Sequence, residues 1–186
     1  MLMRTMHGAR GFSLIELAVV LAIIALVIGF GLPSFSVWSQ NTKIRAAAES
    51  IQSGLQAART EAVRRNTRVE FRISGNAPLQ GATGWSIWTV SPSPQVMVRP
   101  DNESANGIRV RTAPNGAERI TFDGSGRTPV APATNADGSA FLTRINIDSA
   151  MLNPADSREL SIMLGLGGVI RMCDPNVATT GDPRQC

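Results

Sequence analysis

The stretch GFSLIELAVVLAIIALVIGFGLP, residues 11–33, decides how this chain is organised. It is apolar except for one carboxylate, Glu16, and the next charged residue along the chain is Lys43. An acidic side chain near the middle of a membrane costs roughly 2.5–3.5 kcal/mol on insertion scales, so such residues usually have a function. The stretch therefore predicts a membrane-associated helix in which Glu16 has a specific role.

The charge balance limits what the rest of the chain can bind. At 186 residues the chain is long enough for one ordinary domain with an appendage. It carries 18 basic and 14 acidic side chains, and two of the arginines, Arg4 and Arg10, precede the apolar stretch. Without residues 1–11 the body is only mildly basic. Net charge alone therefore gives no reason to expect a nucleic-acid partner.

Two ordinary kinds of N-terminal segment explain only part of this pattern. A cleaved secretory signal is disfavoured because the apolar run is too long, contains Glu16 and lacks a convincing A-x-A cleavage site. A plain signal anchor fits better, since about 20 apolar residues span the hydrocarbon core and the basic start would stay in the cytoplasm. It leaves Glu16 without a role.

A third kind of segment accounts for Glu16. GFSLIE, residues 11–16, resembles the processing signal of type IV pilins and their relatives, written G-F-[ST]-L-[IL]-E. The resemblance implies that a prepilin peptidase cuts after Gly11 and methylates the new N-terminal residue, Phe12. It also implies that Glu16 neutralises the α-amino group of a neighbouring subunit when subunits stack into a filament. Phe12 and Glu16 are four residues apart and share a helix face.

The helical pattern continues beyond the apolar stretch. Two glycines and Pro33 predict a weakened helix near its middle, with Pro33 as the helix break; a simple end of the span at Leu32 is the alternative. Apolar residues then recur three and four positions apart: Ile44, Ala48, Ile51, Leu55, Ala58 and Ala62. We expect one helix over about 12–65, stopping at Asn66, with its second half packed on a globular head.

Beyond Asn66 the chain has the alternating pattern of half-buried strands. Eight short segments show it, at 67–73, 84–90, 95–100, 107–112, 118–122, 142–147, 158–164 and 168–173. They predict an antiparallel sheet or a small two-sheet head, with a loop at 127–141. Trp85 and Trp88 are three residues apart on one segment, so we expect one in the core and the other outside it.

Three further stretches are informative: LQAARTEAVRRN at 55–66, TFDGSGR at 121–127 and LGLGGVIRMCDP at 164–175. Together they resemble the GspH/FimT family of minor pilins and pseudopilins. The last is similar to the family's closing strand, S-x-x-G-R-V-R-x-C, but Val169 stands where DNA-binding members have the first of two arginines. Phosphate contacts sum into a salt-sensitive affinity, so this departure weakens the expectation of DNA binding. Arg171, with Arg184 nearby, would make any DNA contact.

The two cysteines, Cys173 and Cys186, lie near the C-terminus. If the body of the chain is exported, an oxidising space allows a disulfide between them. It would close a loop of about 14 residues, worth roughly 3 kcal/mol in the chain-entropy model; two unpaired thiols are the alternative. Neither cysteine has the spacing of a zinc site, and the single histidine, His7, lies in the leader.

No catalytic, metal or cofactor site is expected. A Ser-His-Asp triad cannot form without a histidine after the leader. GLGG, 165–168, lacks the Lys and Ser/Thr of a phosphate loop, and FDGSGR, 122–127, has too few acidic ligands for calcium.

A basic run contains Arg59, Arg64, Arg65, Arg68 and Arg72, interspersed with Glu61 and Glu70. We expect that run to form solvated surface and salt bridges.

These patterns predict an α+β protein with four parts: a cleaved leader (1–11), a transmembrane and filament-core helix (12–38), an amphipathic continuation (39–66) and a β-rich periplasmic head (67–186). The resemblance implies a non-enzymatic minor pilin that helps prime or cap type IV pilus assembly. It would cross the bacterial inner membrane once. Its partners would be prepilin peptidase and other pilins or pseudopilins. The alternatives are a type II secretion pseudopilin, a DNA-capturing pilus-tip subunit, and a membrane-anchored protein that enters no filament.

Overall fold

The computed structural model describes residues 12–74, 79–80, 83–92, 94–100, 106–128, 135 and 137–186, without the side chains of 30–33, 79–80 and 166. The chain divides into two compact units, Met1–Ser36 and Val37–Cys186. The first unit contains the beginning of a long helix, and the second contains the rest of that helix and all the described strands. The predicted cleavage site at Gly11 lies outside the described residues.

The long helix, α1, runs from Leu14 to Arg65, close to the expected 12–65. It ends in the way that the sequence predicts, because Asn66 adopts a left-handed conformation with φ of 47°. The Asn66 amide donates to the Val63 carbonyl and the Thr67 amide donates to the Ala62 carbonyl, each at 3.2 Å. This pair of bonds is a Schellman motif, which satisfies carbonyls that the last helical turn leaves open.

Nine strands lie within the described residues and form two antiparallel sheets. They are β1 (Val69–Ile73), β2 (Leu79–Gln80), β3 (Trp85–Thr89), β4 (Gln95–Arg99), β5 (Ile108–Ala113), β6 (Arg119–Phe122), β7 (Arg144–Ser149), β8 (Leu160–Gly165) and β9 (Val169–Cys173). The first sheet has the order β4-β3-β1-β6 and the second has the order β2-β5-β7-β8-β9. The α+β fold with a two-sheet head is therefore confirmed.

All eight predicted strand segments are present, and among the described residues β2 is the one strand that the sequence did not predict. Two residues are too few to show an alternating pattern, so β2 is defined by its pairing with Val110 and Arg109 of β5. The loop expected at 127–141 falls partly outside the described residues. In its described part, Phe141 forms an isolated bridge with Arg119.

One hydrophobic core joins the second half of α1 to both sheets. The helix contributes every residue of the predicted stripe, Ile44 to Ala62, and each of these side chains is buried. The first sheet contributes Phe71, Ile87 and Phe122 among others, and the second sheet contributes alternate residues such as Ile145 and Ile147. Burial of the apolar stripe, rather than helix propensity, therefore stabilises this half of α1.

A slot for Trp85 determines how closely the helix approaches the first sheet. The indole of Trp85 is buried, and its Nε1 donates to Ser50 Oγ at 3.2 Å. Gly54, one turn further along, faces the same ring, and a Cβ added there would lie 2.7 Å from Trp85 ring atoms and 2.9 Å from Phe71. Small side chains at these two helix positions make room for the indole. Trp88 is only half-buried, so the expected division of the two tryptophans is confirmed.

A tight junction joins the end of α1 to the turns at 123–127 and 165–168. Arg59 Nε donates to the Gly126 carbonyl at 3.0 Å. Gly126 and Gly168 both have positive φ, of 75° and 80°, and a Cβ on Gly168 would collide with the Gly126 carbonyl oxygen. A Cβ on Gly124 would lie 2.7 Å from the Asn66 side-chain oxygen. The backbones approach so closely here that only glycine fits at these positions.

We predict that Gly54→Ala destabilises the head by roughly 1–2 kcal/mol, because overpacking against Trp85 outweighs the usual benefit of replacing a helical glycine. Urea unfolding of the detergent-solubilised full chain, followed by circular dichroism, measures the difference. Ser53→Ala is the control, since Ser53 is exposed on the same helix. Equal or greater stability of Gly54→Ala would contradict the close approach at the slot.

We predict that Arg59→Ala lowers stability by roughly 1 kcal/mol, because the Gly126 carbonyl loses its hydrogen bond from a charged donor. The same unfolding measurement applies. Arg68→Ala removes an exposed arginine that has no ion pair among the described residues, and it should leave stability unchanged. If both variants behave alike, the junction does not depend on this bond.

Candidate functional site

The apolar half of α1 begins at the residues of the predicted processing signal. Phe12 precedes the helix and is 85% exposed, and Glu16 is the acidic residue of the first helical turn. A carboxylate in the first turn interacts favourably with the helix dipole. Glu16 therefore stabilises the start of the helix in addition to any contact with another subunit.

Ser13 is a feature of this site that the sequence prediction missed. The Leu17 amide donates to the Ser13 carbonyl at 3.1 Å, and the helix starts at Leu14, so Ser13 occupies the N-cap position. Ser13 and Glu16 have the S-x-x-E spacing of a capping box, in which Glu or Gln at the third helical position supports the cap. That spacing is visible in the sequence. An experiment on Glu16 must therefore separate capping from charge.

The described side chains between Phe12 and Gly29 are all exposed. The large apolar ones range from 46% exposed at Val20 to 86% at Leu14. A helix that is apolar on all sides is stable only where lipid or other protein surrounds it. In the described part of the chain no single helix is long and apolar enough to span a membrane, whereas the bent pair Leu14–Gly29 and Ser34–Arg65 qualifies by length and composition.

Pro33, the predicted helix break, lies between the two members of that bent pair. Its side chain is among those that the structure does not describe. The break at Pro33 stays a prediction.

The basic run at the end of α1 is mostly neutralised within the chain. Arg64 and Arg65 pair with Glu61 at 2.6 and 2.5 Å. The hydrogen bond from Arg64 is the main reason that the pKa of Glu61 falls to about 2. Arg59 is held by the junction, and Arg68 is exposed. The run therefore presents a mixed-charge surface, in line with the sequence expectation.

A buried carboxylate, Glu70, is the second feature that sequence reasoning did not identify. It is only 3% exposed, on β1, and accepts a hydrogen bond from Arg72 Nε. Arg119 lies 3.8 Å from it and also pairs with Asp137 at 2.5 Å. The Arg72 guanidinium stacks over Trp88, 5.0 Å from the ring centroid. Because side chains alternate along β1, Glu70 points away from the hydrophobic core. The sequence does not show that Arg72 and Arg119 lie over it on that outer face.

The closing strand and the C-terminus are joined by a disulfide between Cys173 and Cys186, whose Cα atoms are 5.1 Å apart. The predicted bridge is confirmed. A backbone bond from the Asp174 amide to the Arg184 carbonyl, 2.7 Å long, also holds the C-terminal segment. The disulfide therefore holds the segment that contains Arg184 beside the closing strand that contains Arg171.

Both arginines proposed as DNA contacts already have partners. Arg171 donates to the Gln185 carbonyl. Arg184 binds Asp182 through Nε at 3.1 Å and Nη2 at 2.8 Å, and this hydrogen bonding lowers the pKa of Asp182 to about 2. The Asp182 carboxylate beside Arg184 offsets the positive charge that this arginine would offer to a phosphate. The geometry is therefore a poor anion site.

Two other acidic side chains have shifted pKa values. Asp123 accepts hydrogen bonds from Ser125 and from the Arg127 amide, and these bonds hold the turn at the junction. They also lower the pKa of Asp123. Burial is the main cause of a raised pKa at Glu159, and the nearby Asp148 adds to it. Among the described residues no group of histidine, cysteine, aspartate or glutamate side chains could hold a metal ion.

Two family models match different parts of the chain. The model of the family described as type II transport protein GspH matches residues 47–168, and the prokaryotic N-terminal methylation motif matches residues 6–32. No curated protein matches the chain. The methylation motif and the N-terminal helix together indicate a membrane-anchored precursor.

Two crystal structures of the type IV minor pilin FimU from Pseudomonas aeruginosa share the fold, each at 16% sequence identity. One has a TM-score of 0.54 and covers 76% of this chain, and the other has a TM-score of 0.50 and covers 73%; in both, 99% of the FimU chain is matched. Because the GspH model covers more than half of the sequence, the chain belongs to the GspH family of pilin-like structural subunits, minor pilins and pseudopilins that assemble with others of their kind.

Proposed function

We propose that this chain is a minor pilin, a structural subunit without enzymatic activity that helps prime or cap assembly of the type IV pilus. Prepilin peptidase removes residues 1–11 and methylates Phe12. The precursor crosses the bacterial inner membrane once, through the helix at 12–38, with its head in the periplasm. It then enters a filament beside major and minor pilins.

One observation carries this proposal: the first half of α1 is apolar, exposed and supplied with a single charge, Glu16. At 25 cal/mol per Å² of apolar surface, burying even a few of these side chains contributes several kcal/mol, about 2 for each large one. The chain itself offers no cover for them among its described residues. Lipid can cover them in the precursor, and neighbouring helices can cover them in a filament.

The position of Glu16 explains how such a helix docks in register. Cleavage after Gly11 creates a positive amine at Phe12, about one helical turn, or roughly 6 Å, before Glu16. Each charge is costly in an apolar surrounding unless it has a partner. A neighbouring helix shifted along its axis can bring its own Phe12 amine to this Glu16. Wrongly docked subunits leave both charges unpaired, so the pair selects one stagger.

The head supports the choice of a pilus subunit. FimU, a type IV minor pilin, shares its fold with this chain. The alternative is a pseudopilin of the type II secretion system, which the GspH family description favours. Both would use the same anchor and the same docking pair. They differ in the effect of a deletion: loss of a minor pilin would abolish pili, whereas loss of a pseudopilin would abolish type II secretion.

We predict that Glu16→Ala inserts in the membrane but is absent from sheared filaments. Glu16→Gln separates the two roles of this residue, because glutamine supports a capping box but carries no charge. If the charge pair drives docking, Glu16→Gln also fails to incorporate, as measured by immunoblotting of the sheared and membrane fractions. Glu49→Ala, an exposed head residue paired with Arg45, is the control. Normal incorporation of Glu16→Gln would assign the role to capping alone.

We predict that Gly11→Ala blocks removal of the leader, so the protein keeps the slower gel mobility of the precursor. Gly8→Ala changes another leader glycine and should be processed normally. Mass spectrometry of the N-terminus of the control should give a methylated Phe12. Processing of Gly11→Ala at the wild-type rate would mean that the cut lies elsewhere.

We predict that the full chain shows no specific DNA binding, because Arg171 and Arg184 are engaged within the chain. Fluorescence anisotropy with labelled duplex DNA at increasing salt measures this. The double variant Arg171→Ala, Arg184→Ala should match a control pair, Arg45→Ala, Arg68→Ala, that removes the same charge elsewhere. Binding that is lost only in the first pair, with a salt slope smaller by about 2, would establish the DNA-capturing alternative.

A further inference from the structure

The outer face of the second sheet, which points away from the core, carries two arginines close together. Arg111 of β5 lies directly opposite Asn146 of β7, and Arg144 is two residues before Asn146 on the same strand. Arg111 and Arg144 are therefore diagonal neighbours, with Cβ atoms roughly 7–8 Å apart, and side chains as long as these can meet over one ligand. We call Arg111 and Arg144 the arginine pair.

Neither guanidinium of the arginine pair is neutralised by a carboxylate of the chain. No ion pair among the described residues includes Arg111 or Arg144. Arg111 is exposed, and Arg144 is half-buried with its Nε donating to Met163 Sδ at 3.0 Å. A thioether is a weak, uncharged acceptor, so it orients Arg144 and leaves its charge unbalanced. Two positive charges this close repel each other, and an anion between them would stabilise both.

Asn146 supplies a third donor beside the arginine pair. Its Oδ1 accepts a hydrogen bond from Ser161 Oγ at 2.7 Å, and Ser161 is buried. Because Ser161 holds the oxygen, the amide can bind a further group only as a donor, through Nδ2. In the described part of the chain Nδ2 has no acceptor. Two guanidinium groups and one amide thus match the two oxygens and about four lone-pair sites of a carboxylate.

We propose that the arginine pair, together with Asn146, binds a carboxylate on an acidic segment of a neighbouring pilin subunit. The inference rests on the proposed function, because only a filament or its assembly complex supplies such a neighbour. Arginine forks bind carboxylates through two parallel hydrogen bonds, which gives the contact a defined geometry as well as charge complementarity. Arg171 lies on the same face but is held by the Gln185 carbonyl, so the proposed site does not include it.

The charges around the arginine pair favour one acidic segment over a polyanion such as DNA. Asp148 is the other diagonal neighbour of Arg111, and Glu159 is close enough to interact with Arg111 electrostatically. A nucleic acid carries a phosphate at every nucleotide, so it would meet these two carboxylates as well as the arginines. A single carboxylate can approach from the side of Arg144, which lies at the opposite end of β7 from Asp148, and avoid that repulsion.

The test uses carbodiimide cross-linking of filaments sheared from cells that make the full chain. Arg111→Lys and Arg144→Lys each keep the positive charge and introduce a primary amine. The reagent joins that amine to a carboxylate in contact as an amide, and takes up the released water as a urea. Lys43 is the only native lysine, so mass spectrometry can assign the new cross-links. Arg68→Lys is the matched control, since Arg68 is exposed and forms no ion pair among the described residues.

Arg111→Lys and Arg144→Lys should each give several-fold more cross-linking to another pilin subunit than Arg68→Lys, and both should reach the same aspartate or glutamate of that subunit. Cross-linking no greater than that of the control, or confined to Asp148 and Glu159 of the same chain, would overturn the inference. Presence of the subunit in the sheared filaments would then leave the proposed function intact. Absence of the wild-type subunit from the filaments would overturn the proposed function and the inference together.

Charge reversal is a second, independent measurement. The double variant Arg111→Glu, Arg144→Glu should be several-fold depleted from sheared filaments, with an unchanged amount of precursor in the membrane fraction. The control pair Arg68→Glu, Arg158→Glu makes the same change of charge at two exposed arginines elsewhere and should be incorporated normally. Equal incorporation of the two pairs would overturn the inference. Binding of labelled duplex DNA that is lost only in Arg111→Glu, Arg144→Glu would overturn it in favour of a nucleic-acid ligand.

Discussion

A single helix with two different surroundings is the constraint on which the rest of this protein depends. From Ile44 onward the apolar side chains of α1 are buried by two sheets of the same chain. Between Leu14 and Gly29 equally apolar side chains are exposed, so the same element must obtain its cover from lipid or from other subunits. The head covers its own half of the helix, whereas the other half needs lipid or other protein to cover it.

The head achieves its half of this arrangement by close backbone approach. Gly54 admits the indole of Trp85, and the glycines at 124, 126 and 168 let two turns meet the end of the helix around Arg59. The three stretches of the head that resemble the GspH/FimT family meet at this junction. Their glycines and arginine are thus explained by packing, and the contacts that we propose with other subunits lie elsewhere, at Glu16 and at the arginine pair.

Much of this fold was predictable because its patterns are long and regular. The apolar stripe of α1, its stop at Asn66 and eight strands follow from periodicity and turn residues, and the disulfide follows from two cysteines in a chain whose sequence predicts export. Features that depend on how the strands pair were not predictable. Glu70 is covered by Arg72 of its own strand and by Arg119 of β6, and only the register between β1 and β6 shows that Arg119 lies there. Asp182 and Arg184 are two residues apart, but the sequence does not show that their loop brings the two side chains together. The S-x-x-E spacing of Ser13 and Glu16 was visible in the sequence, although it lies within the processing motif.

The central claim is that this subunit serves the assembly of a pilus. The most direct measurement is made on a strain that lacks the gene, in which surface pili are counted, twitching is scored, and secreted enzymes are assayed from the same cultures. The account predicts loss of pili and of twitching with secretion intact, both restored by the wild-type gene. Normal pili would contradict it, and a secretion defect in that case would assign the subunit to the type II secretion system.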